Sequence, residues 1–145
     1  MAATLKHFGI HGQSEGGINV SPSNIDERTA REVFFKPFQA CVKEAHAMNV
    51  MATYNELWGL PAHINKYLLT DILRKEWGFN GVIVSDYNAI KDVSDLHKIT
   101  PSYDSAGVLA FKAGIDIETP DPDGFKNIKQ LVSAGKITMK ELDES

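Results

Sequence analysis

Four short stretches of apolar, β-prone residues recur along the chain, and each one ends in polar or special residues. They span residues 2–8, 50–54, 81–86 and 113–118. In the third stretch, Val82, Ile83 and Val84 form an unbroken β-branched run, which is typical of a strand buried on both faces of a parallel sheet. The pattern therefore predicts four buried strands.

Segments with helical spacing lie between the predicted strands. Residues 28–48 repeat apolar side chains near every 3.6 positions, and Pro37 predicts a kink or a break within them. A second helix is predicted from Pro61, which suits a first turn, to Trp77, where Gly78 supplies a C-terminal stop. These two segments connect the first three predicted strands.

Three further helices are predicted in the second half of the chain. One is capped by Asp104 or Ser105, another spans residues 124–134, and a last short helix begins at a capping box formed by Thr138 and Glu141. Strands thus alternate with helices, and this order predicts parallel pairing through right-handed crossovers.

Both a doubly wound sheet and part of a (β/α) barrel fit this alternation. The glycines after the first predicted strand, Gly9, Gly12, Gly16 and Gly17, match a phosphate-binding loop only weakly. The chain has 145 residues, whereas a complete eight-fold barrel needs roughly 250. We therefore predict an α/β fold, a partial TIM-type (β/α) barrel with about four parallel strands alternating with helices.

The composition is that of a globular protein, with 43% hydrophobic and 23% charged residues. A net charge of −4 gives no overall positive field to attract nucleic acid or anionic lipid, and no apolar run approaches the roughly 20 residues that span a bilayer. Cys41, the only cysteine, is expected to be a small buried side chain. We predict no nucleic-acid partner, no membrane partner and no metal site, because the five histidines lack a metal-ligand pattern.

Asp86 is the most informative polar residue, because it comes directly after the Val82–Val84 run. In a parallel barrel the working residues project from the C-terminal ends of the strands. Burying an unpaired carboxylate is costly, so Asp86 either faces a site, as a nucleophile or general base, or caps the helix that follows. From spacing alone both interpretations stay open.

Other strand ends supply further candidates. Lys6 and His7 could donate hydrogen bonds to a ligand or form a solvated rim, and Tyr54 could offer an aromatic wall or belong to the core. Glu118, which follows Asp116 at the last predicted strand, could be a second catalytic carboxylate, although helix capping or loop hydrogen bonding explains it more simply. In a parallel sheet these ends converge on one rim.

Longer motifs cover nearly the whole chain in a fixed order. They are Lys6-His7-Phe8, His11-Gly12-x-x-x-Gly16-Gly17-x-Asn19, Pro37-Phe38, the phrase from Val50 to Glu56, the block from Leu73 to Tyr87, and the segment from Ala113 to Pro120. In this combination the chain resembles glycoside hydrolase family 3, in its β-glucosidase and β-xylosidase branch.

The resemblance implies a retaining glycosidase that needs no cofactor. In such an enzyme Asp86, at the matching Ser-Asp position, is the nucleophile that forms a glycosyl-enzyme intermediate. The substrate-binding residues that the resemblance implies are Lys6, His7, Met51, Tyr54 and Tyr87. The acid/base of this branch is a Glu in a separate domain that follows the barrel.

A sister branch, the bacterial β-N-acetylhexosaminidases, carries its acid/base within the barrel. Its members have a proline in Lys-His-Phe-Pro-Gly-His-Gly and an Asp-Ser-His signature further along. This chain reads Lys6-His7-Phe8-Gly9-Ile10-His11-Gly12 and lacks both features. The sequence therefore favours the branch whose acid lies outside the barrel.

By the family's layout, residues 1–145 are expected to form the C-terminal half of the barrel domain, without the other half and without the acid/base domain. We expect this fragment to be inactive by itself and to associate with the missing parts or with itself. The resemblance implies a periplasmic or extracellular parent that acts on terminal β-linked glucose or xylose. A non-catalytic sugar-binding or assembly module on the same half-barrel stays open as an alternative.

Overall fold

A parallel sheet organises the chain in the computed structural model, which describes residues 2–143. The strands within these residues are β1 (Thr4–Phe8), β2 (Asn49–Ala52), β3 (Glu56–Leu57), β4 (Leu60–Pro61) and β5 (Val82–Val84). The sheet has the order β1–β2–β5, and β3 with β4 forms a separate antiparallel hairpin. Met1, Glu144 and Ser145, which belong to the predicted unit 1–145, lie outside the described residues.

Helical segments separate the parallel strands and follow the last of them. The α-helices are α1 (Glu27–Thr29), α2 (Lys36–Lys43), α3 (Ala89–Asp95), α4 (Tyr103–Ala113), α5 (Ile128–Ser133) and α6 (Met139–Asp143). The chain also forms π-helical segments at Ala30–Phe34 and Tyr67–Glu76 and 3₁₀ turns at Glu15–Gly17 and Ala62–Ile64. This alternation of parallel strands and helices confirms the predicted α/β class.

One face of the sheet is buried in the hydrophobic core. Leu5 pairs in register with Val50, and Val50 with Ile83, and the last two side chains are fully buried. The next positions along β2 and β5, Met51 and Val84, point to the opposite face and are only half-buried. One face of the sheet is therefore packed in the core, and the other is partly open to solvent.

An aromatic cluster anchors the core beside β1. The ring of Phe8 lies 5.4 to 5.5 Å, between centroids, from the rings of Phe35, Phe38 and Trp77. Such tilted and edge-to-face contacts add to the stabilisation that comes from burying the rings. The cluster fixes α2 and the Tyr67–Glu76 helix against the strand that carries Lys6 and His7.

The prediction of a fourth strand over residues 113–118 is wrong. Ala113 ends α4, and the contact with the sheet is an isolated parallel bridge between Ile117 and Val84. The carboxylate of Asp116 accepts the backbone N–H of Ile83 at 2.6 Å, a donor that a backbone carbonyl would take in a regular ladder. The side chain thus interrupts the pairing, and three strands rather than four form the sheet among residues 2–143.

The helix predicted from about Pro61 to Trp77 is interrupted near its start. Pro61 belongs to the hairpin, the 3₁₀ turn Ala62–Ile64 follows it, and the π-helical segment begins at Tyr67. Asn65 explains the late start, because its side-chain oxygen accepts the N–H of Leu68 while its amide nitrogen donates to the carbonyl of Leu57. One buried side chain therefore starts the helix and holds the preceding hairpin.

The other helix predictions need smaller corrections. The segment predicted over 28–48 breaks as expected, with Pro37 in the first turn of α2, but α2 ends at Lys43. The cap of α4 is Ser102, whose hydroxyl accepts the N–H of Ser105, rather than Asp104 or Ser105.

The remaining comparisons concern helices α3 and α5, Cys41 and the capping box before α6. Helix α3, which buries Ile90 and Val93, was not predicted as a separate element, and the helix predicted over 124–134 covers only Ile128–Ser133. Cys41 is partly exposed instead of buried. The capping box of Thr138 and Glu141 is confirmed by their reciprocal hydrogen bonds.

Among residues 2–143, no helix is both long enough and apolar enough to cross a membrane.

Candidate active site

An irregularity in β1 presents Lys6 and His7. Leu5 pairs with Val50 and Phe8 pairs with Ala52, so β1 contributes one residue more than β2 between these pairs. A bulge of this kind re-aims side chains and is common beside active sites. Lys6 is exposed and borders a groove of about 290 Å³ at the edge of the sheet, whereas His7 is turned towards β5.

Asp86 lies two residues beyond the end of β5 and is 8% exposed. Its Oδ1 accepts the backbone N–H of Tyr87 at 2.8 Å. The N-cap of α3 is Asn88, and among the described residues the Asp86 carboxylate accepts no N–H from that helix. The helix-cap interpretation of Asp86 is therefore not what the structure shows.

The second oxygen of Asp86 is buried and unpaired. His7 Nε2 lies 3.2 Å from Asp86 Oδ2 without forming a hydrogen bond, and within residues 2–143 Oδ2 accepts none. Burial lowers the pKa of His7 below its usual value, and this effect outweighs the opposing attraction of the Asp86 charge. A neutral imidazole thus stands beside a carboxylate oxygen that accepts no hydrogen bond from the described residues.

Tyr54 and Tyr87 flank this carboxylate. The hydroxyl of Tyr54 donates a hydrogen bond to the backbone carbonyl of Tyr87 at 2.7 Å. Burial, with the charge of Asp86 adding to it, raises the pKa of Tyr54 to about 12, so its hydroxyl stays protonated in the working range of most enzymes. The Tyr87 side chain is 59% exposed, which leaves its ring open to a ligand.

Met51 occupies the neighbouring strand. It pairs in register with Val84, two residues before Asp86, on the half-buried face of the sheet. The structure thus brings His7, Tyr54 and Tyr87 to Asp86 by direct contact or charge interaction, and it places Lys6 and Met51 on the adjoining strands.

Two more histidines lie at this site, of which the sequence had singled out only His11, as part of a motif. His63 is 1% exposed, and its Nε2 accepts the backbone N–H of Asp86 at 2.9 Å. The ring of His11 lies 4.3 Å from the ring of His7, between centroids. The partner of His63 is 23 residues away, so no local pattern in the sequence reveals the contact. The one available signal was a histidine among apolar neighbours.

The remaining strand-end acids have structural roles. Asp116 accepts hydrogen bonds from the guanidinium of Arg74 at 2.7 Å and from the N–H of Ile83. Its carboxylate is therefore bonded to β5 and to Arg74 and does not take part in the candidate site. Both carboxylate oxygens of Glu118 accept backbone N–H groups of Gly124 and Phe125. The loop-hydrogen-bonding interpretation of Glu118 is the one that the structure shows.

A family model described as glycosyl hydrolase family 3 N terminal domain matches residues 1–145. The chain is similar to a β-xylosidase from Formosa agariphila, with 43% identity over 116 residues that cover 80% of this chain and 16% of that protein. It is also similar to a periplasmic β-glucosidase from Salmonella typhimurium, with 35% identity over 98% of this chain and 18% of that protein.

The fold is similar to that of a solved β-glucosidase from Erythrobacter marinus. The TM-score is 0.95 at 35% sequence identity, over 99% of this chain and 19% of that one. The chain therefore spans less than a fifth of the length of each of these proteins.

Proposed function

This chain belongs to glycosyl hydrolase family 3, and on that premise we propose that it supplies the nucleophile and part of the first sugar subsite of a retaining β-glycosidase. The observation that carries the proposal is the state of Asp86, which has one oxygen fixed by the Tyr87 N–H and the other buried without a hydrogen bond. The proposed substrates are glycosides with a terminal β-glucosyl or β-xylosyl residue, in keeping with the names of the relatives.

The proposed reaction has two displacements at the anomeric carbon. Asp86 Oδ2 attacks that carbon and forms the glycosyl ester, while the bond to the leaving oxygen breaks and that oxygen takes a proton from a carboxylic acid. The resulting carboxylate then removes a proton from water, whose oxygen displaces Asp86 and releases the sugar with its original configuration. No cofactor takes part in this sequence.

The neighbours of Asp86 have distinct proposed roles. A neutral His7, beside the nucleophile, hydrogen-bonds sugar hydroxyls together with Lys6. Tyr54 and Met51 form the floor of the subsite, and the exposed ring of Tyr87 stacks on the sugar. While its imidazole is neutral, His7 does not form an ion pair with Asp86.

The acid/base is proposed to lie outside this chain. Glu118 and Asp116, the acids at the last strand end, are committed to the backbone and to Arg74. We therefore propose that residues 1–145 are the C-terminal half of a (β/α)8 barrel, completed by the other half and by an acid/base domain. Like the Salmonella relative, whose name gives its place, the parent is proposed to be periplasmic or extracellular.

Covalent labelling tests the proposal. The full-length parent is incubated with 2-deoxy-2-fluoro β-glucoside and β-xyloside inactivators, and its peptides are analysed by mass spectrometry. We expect one adduct, on Asp86, and its loss in the Asp86→Asn variant, while Asp116→Asn retains it. Saturable sugar binding without an adduct would instead favour the non-catalytic binding module.

A further inference from the structure

The backbone amide of Asp86 has an unusual partner. β5 ends at Val84, and the N–H of Ser85 still donates to a backbone carbonyl, that of Ile117, at 2.8 Å. The next amide, that of Asp86, donates to the imidazole Nε2 of His63 at 2.9 Å. A side chain from a distant turn thus holds the first backbone donor beyond the parallel sheet.

His63 is held firmly in that position. It lies in the 3₁₀ turn Ala62–Ile64, between the β3–β4 hairpin and the Tyr67–Glu76 helix, and all three residues of the turn are buried. Asn65, directly after the turn, is itself fixed by hydrogen bonds to Leu57 and Leu68. The acceptor nitrogen is therefore presented from a rigid element.

The hydrogen bond requires a particular form of the imidazole. Nε2 can accept the Asp86 N–H only when it carries no proton, so a neutral ring must carry its proton on Nδ1. Burial lowers the pKa of His63 to about 3. The acceptor therefore persists throughout the pH range of ordinary catalysis.

Resting on the function proposed above, we propose that His63 is a positioning residue, which holds the backbone of Asp86 so that Oδ2 faces the anomeric carbon. With the Asp86 amide fixed by His63, the Tyr87 N–H fixes Oδ1 of the same carboxylate. These two bonds define where Oδ2 points. The imidazole itself does not touch the reacting atoms.

Kinetics of the full-length parent test this role. His63→Leu removes the acceptor, whereas His63→Gln keeps a side-chain oxygen that can accept an N–H. Rates are expressed per active site, titrated with the fluoroglycoside. We expect His63→Leu to lower the rate of inactivation and kcat/KM together by roughly 10- to 100-fold, because small displacements of a reacting group are costly. His63→Gln is expected to recover part of the loss.

Ile64→Ala is the matched control. Ile64 lies in the same 3₁₀ turn and is 9% exposed, so its truncation destabilises the turn without removing the bond to Asp86. We expect this variant to keep wild-type rates per titrated site. If His63→Leu fails to fold, the comparison of His63→Gln with Ile64→Ala measures the same effect.

Two results would separate this inference from the function on which it rests. An adduct on Asp86 in the wild type, together with unchanged rates per site in His63→Leu and His63→Gln, would overturn the positioning role alone. No adduct on Asp86 in the wild type would overturn the proposed function. In ¹⁵N-histidine spectra of the wild type, we expect an unprotonated Nε2 on His63 from pH 5 to 8, and a protonated Nε2 would also overturn the positioning role.

Discussion

At the scale of single residues, the two oxygens of Asp86 have different environments. Oδ1 accepts the Tyr87 N–H, whereas Oδ2 is buried without a hydrogen bond from the described residues. In the proposed reaction Oδ2 is therefore the oxygen that attacks, because its lone pairs are not engaged by a hydrogen bond. Its orientation depends on the neighbours that hold the residue from several sides.

Tyr54→Phe tests one of those neighbours. The change removes the hydrogen bond from the Tyr54 hydroxyl to the Tyr87 carbonyl, so we expect kcat/KM of the full-length parent to fall roughly 10-fold. Because the pKa of Tyr54 is raised from 10.0 to about 12, its stabilising effect is present below pH 10 and is lost as pH rises towards 12. The alkaline limb of a pH–rate profile between pH 5 and 9 should therefore be the same in both proteins.

The control for this substitution is Tyr103→Phe. The Tyr103 hydroxyl donates to Asp95 near the surface, so its removal should leave kcat/KM unchanged. An alkaline limb below pH 9 that disappears in Tyr54→Phe would contradict the assignment of a protonated hydroxyl.

A second prediction concerns the contribution of His63 to stability at acid pH. Its folded-state pKa is lowered from 6.5 to about 3, so its contribution to stability is present above pH 6.5 and is lost as pH falls towards 3. The full loss is on the order of 5 kcal/mol. Urea unfolding at pH 7 and at pH 4 should show a shallower acid loss in His63→Gln than in the wild type, whereas the exposed His46→Gln should match the wild type.

At the scale of elements, single side chains decide where strands and helices end. Asp116 occupies the Ile83 N–H and bonds Arg74, so the last segment bridges the sheet at one point instead of extending it. Asn65 starts the Tyr67–Glu76 helix after the hairpin, and the bulge of β1 turns His7 towards Asp86. These local devices set the boundaries on which the site is built.

A close backbone approach between α4 and the loop before α5 gives a third prediction. A Cβ at Gly107 would overlap the carbonyl oxygen of Gly124, which is backbone and cannot rotate away. We expect Gly107→Ala to lower the free energy of unfolding by about 3 kcal/mol, measured by urea titration. Gly12→Ala meets nothing within 4 Å and should change it by less than about 0.5 kcal/mol. Equal effects of the two substitutions would show that the approach is looser than the structure has it.

At the scale of the whole molecule, the edges of the sheet are only partly paired, and one of its faces is only partly covered. β1 pairs with β2 alone among the described strands, and beyond β5 the pairing is reduced to the Ile117 bridge. Met51 and Val84 on the thinly covered face are only half-buried, and Ile117 is 47% exposed. Strand edges with free backbone groups and apolar sheet faces favour association with other chains.

The isolated 145-residue chain is therefore expected to self-associate. Sedimentation velocity over a range of concentrations should show species heavier than the 16.0 kDa monomer. Addition of the complementary half of the parent should convert them into a defined complex. A well-behaved monomer that unfolds cooperatively would contradict this expectation.

The same isolated chain is expected to lack hydrolytic activity. The proposed acid/base lies outside it, and a nucleophile without that acid cannot protonate a poor leaving oxygen. Release of nitrophenol from aryl β-glucosides and β-xylosides should stay at background, while the full-length parent turns them over. Robust turnover by the chain alone would place the acid within residues 1–145.

The sequence by itself determined the class of the fold and pointed to the residue that is proposed as the nucleophile. Buried β-branched runs between helical periods depend on near neighbours, so they predicted the parallel strands, and the block from Leu73 to Tyr87 pointed to Asp86 and to the family. Helix boundaries were less accurate, because side chains such as Asn65 and Ser102, rather than the period of the pattern, set them.

The tertiary structure alone decided which groups touch Asp86 and which stretch fails to become a strand. His63 is 23 residues from Asp86 and His7 is 79 residues away, so neither contact leaves a periodic signal in the chain. The stretch over residues 113–118 has the composition of a strand, yet the side chain of Asp116 takes a donor of its partner. Such outcomes depend on hydrogen bonds and burial between distant segments, which exist only once the chain is folded.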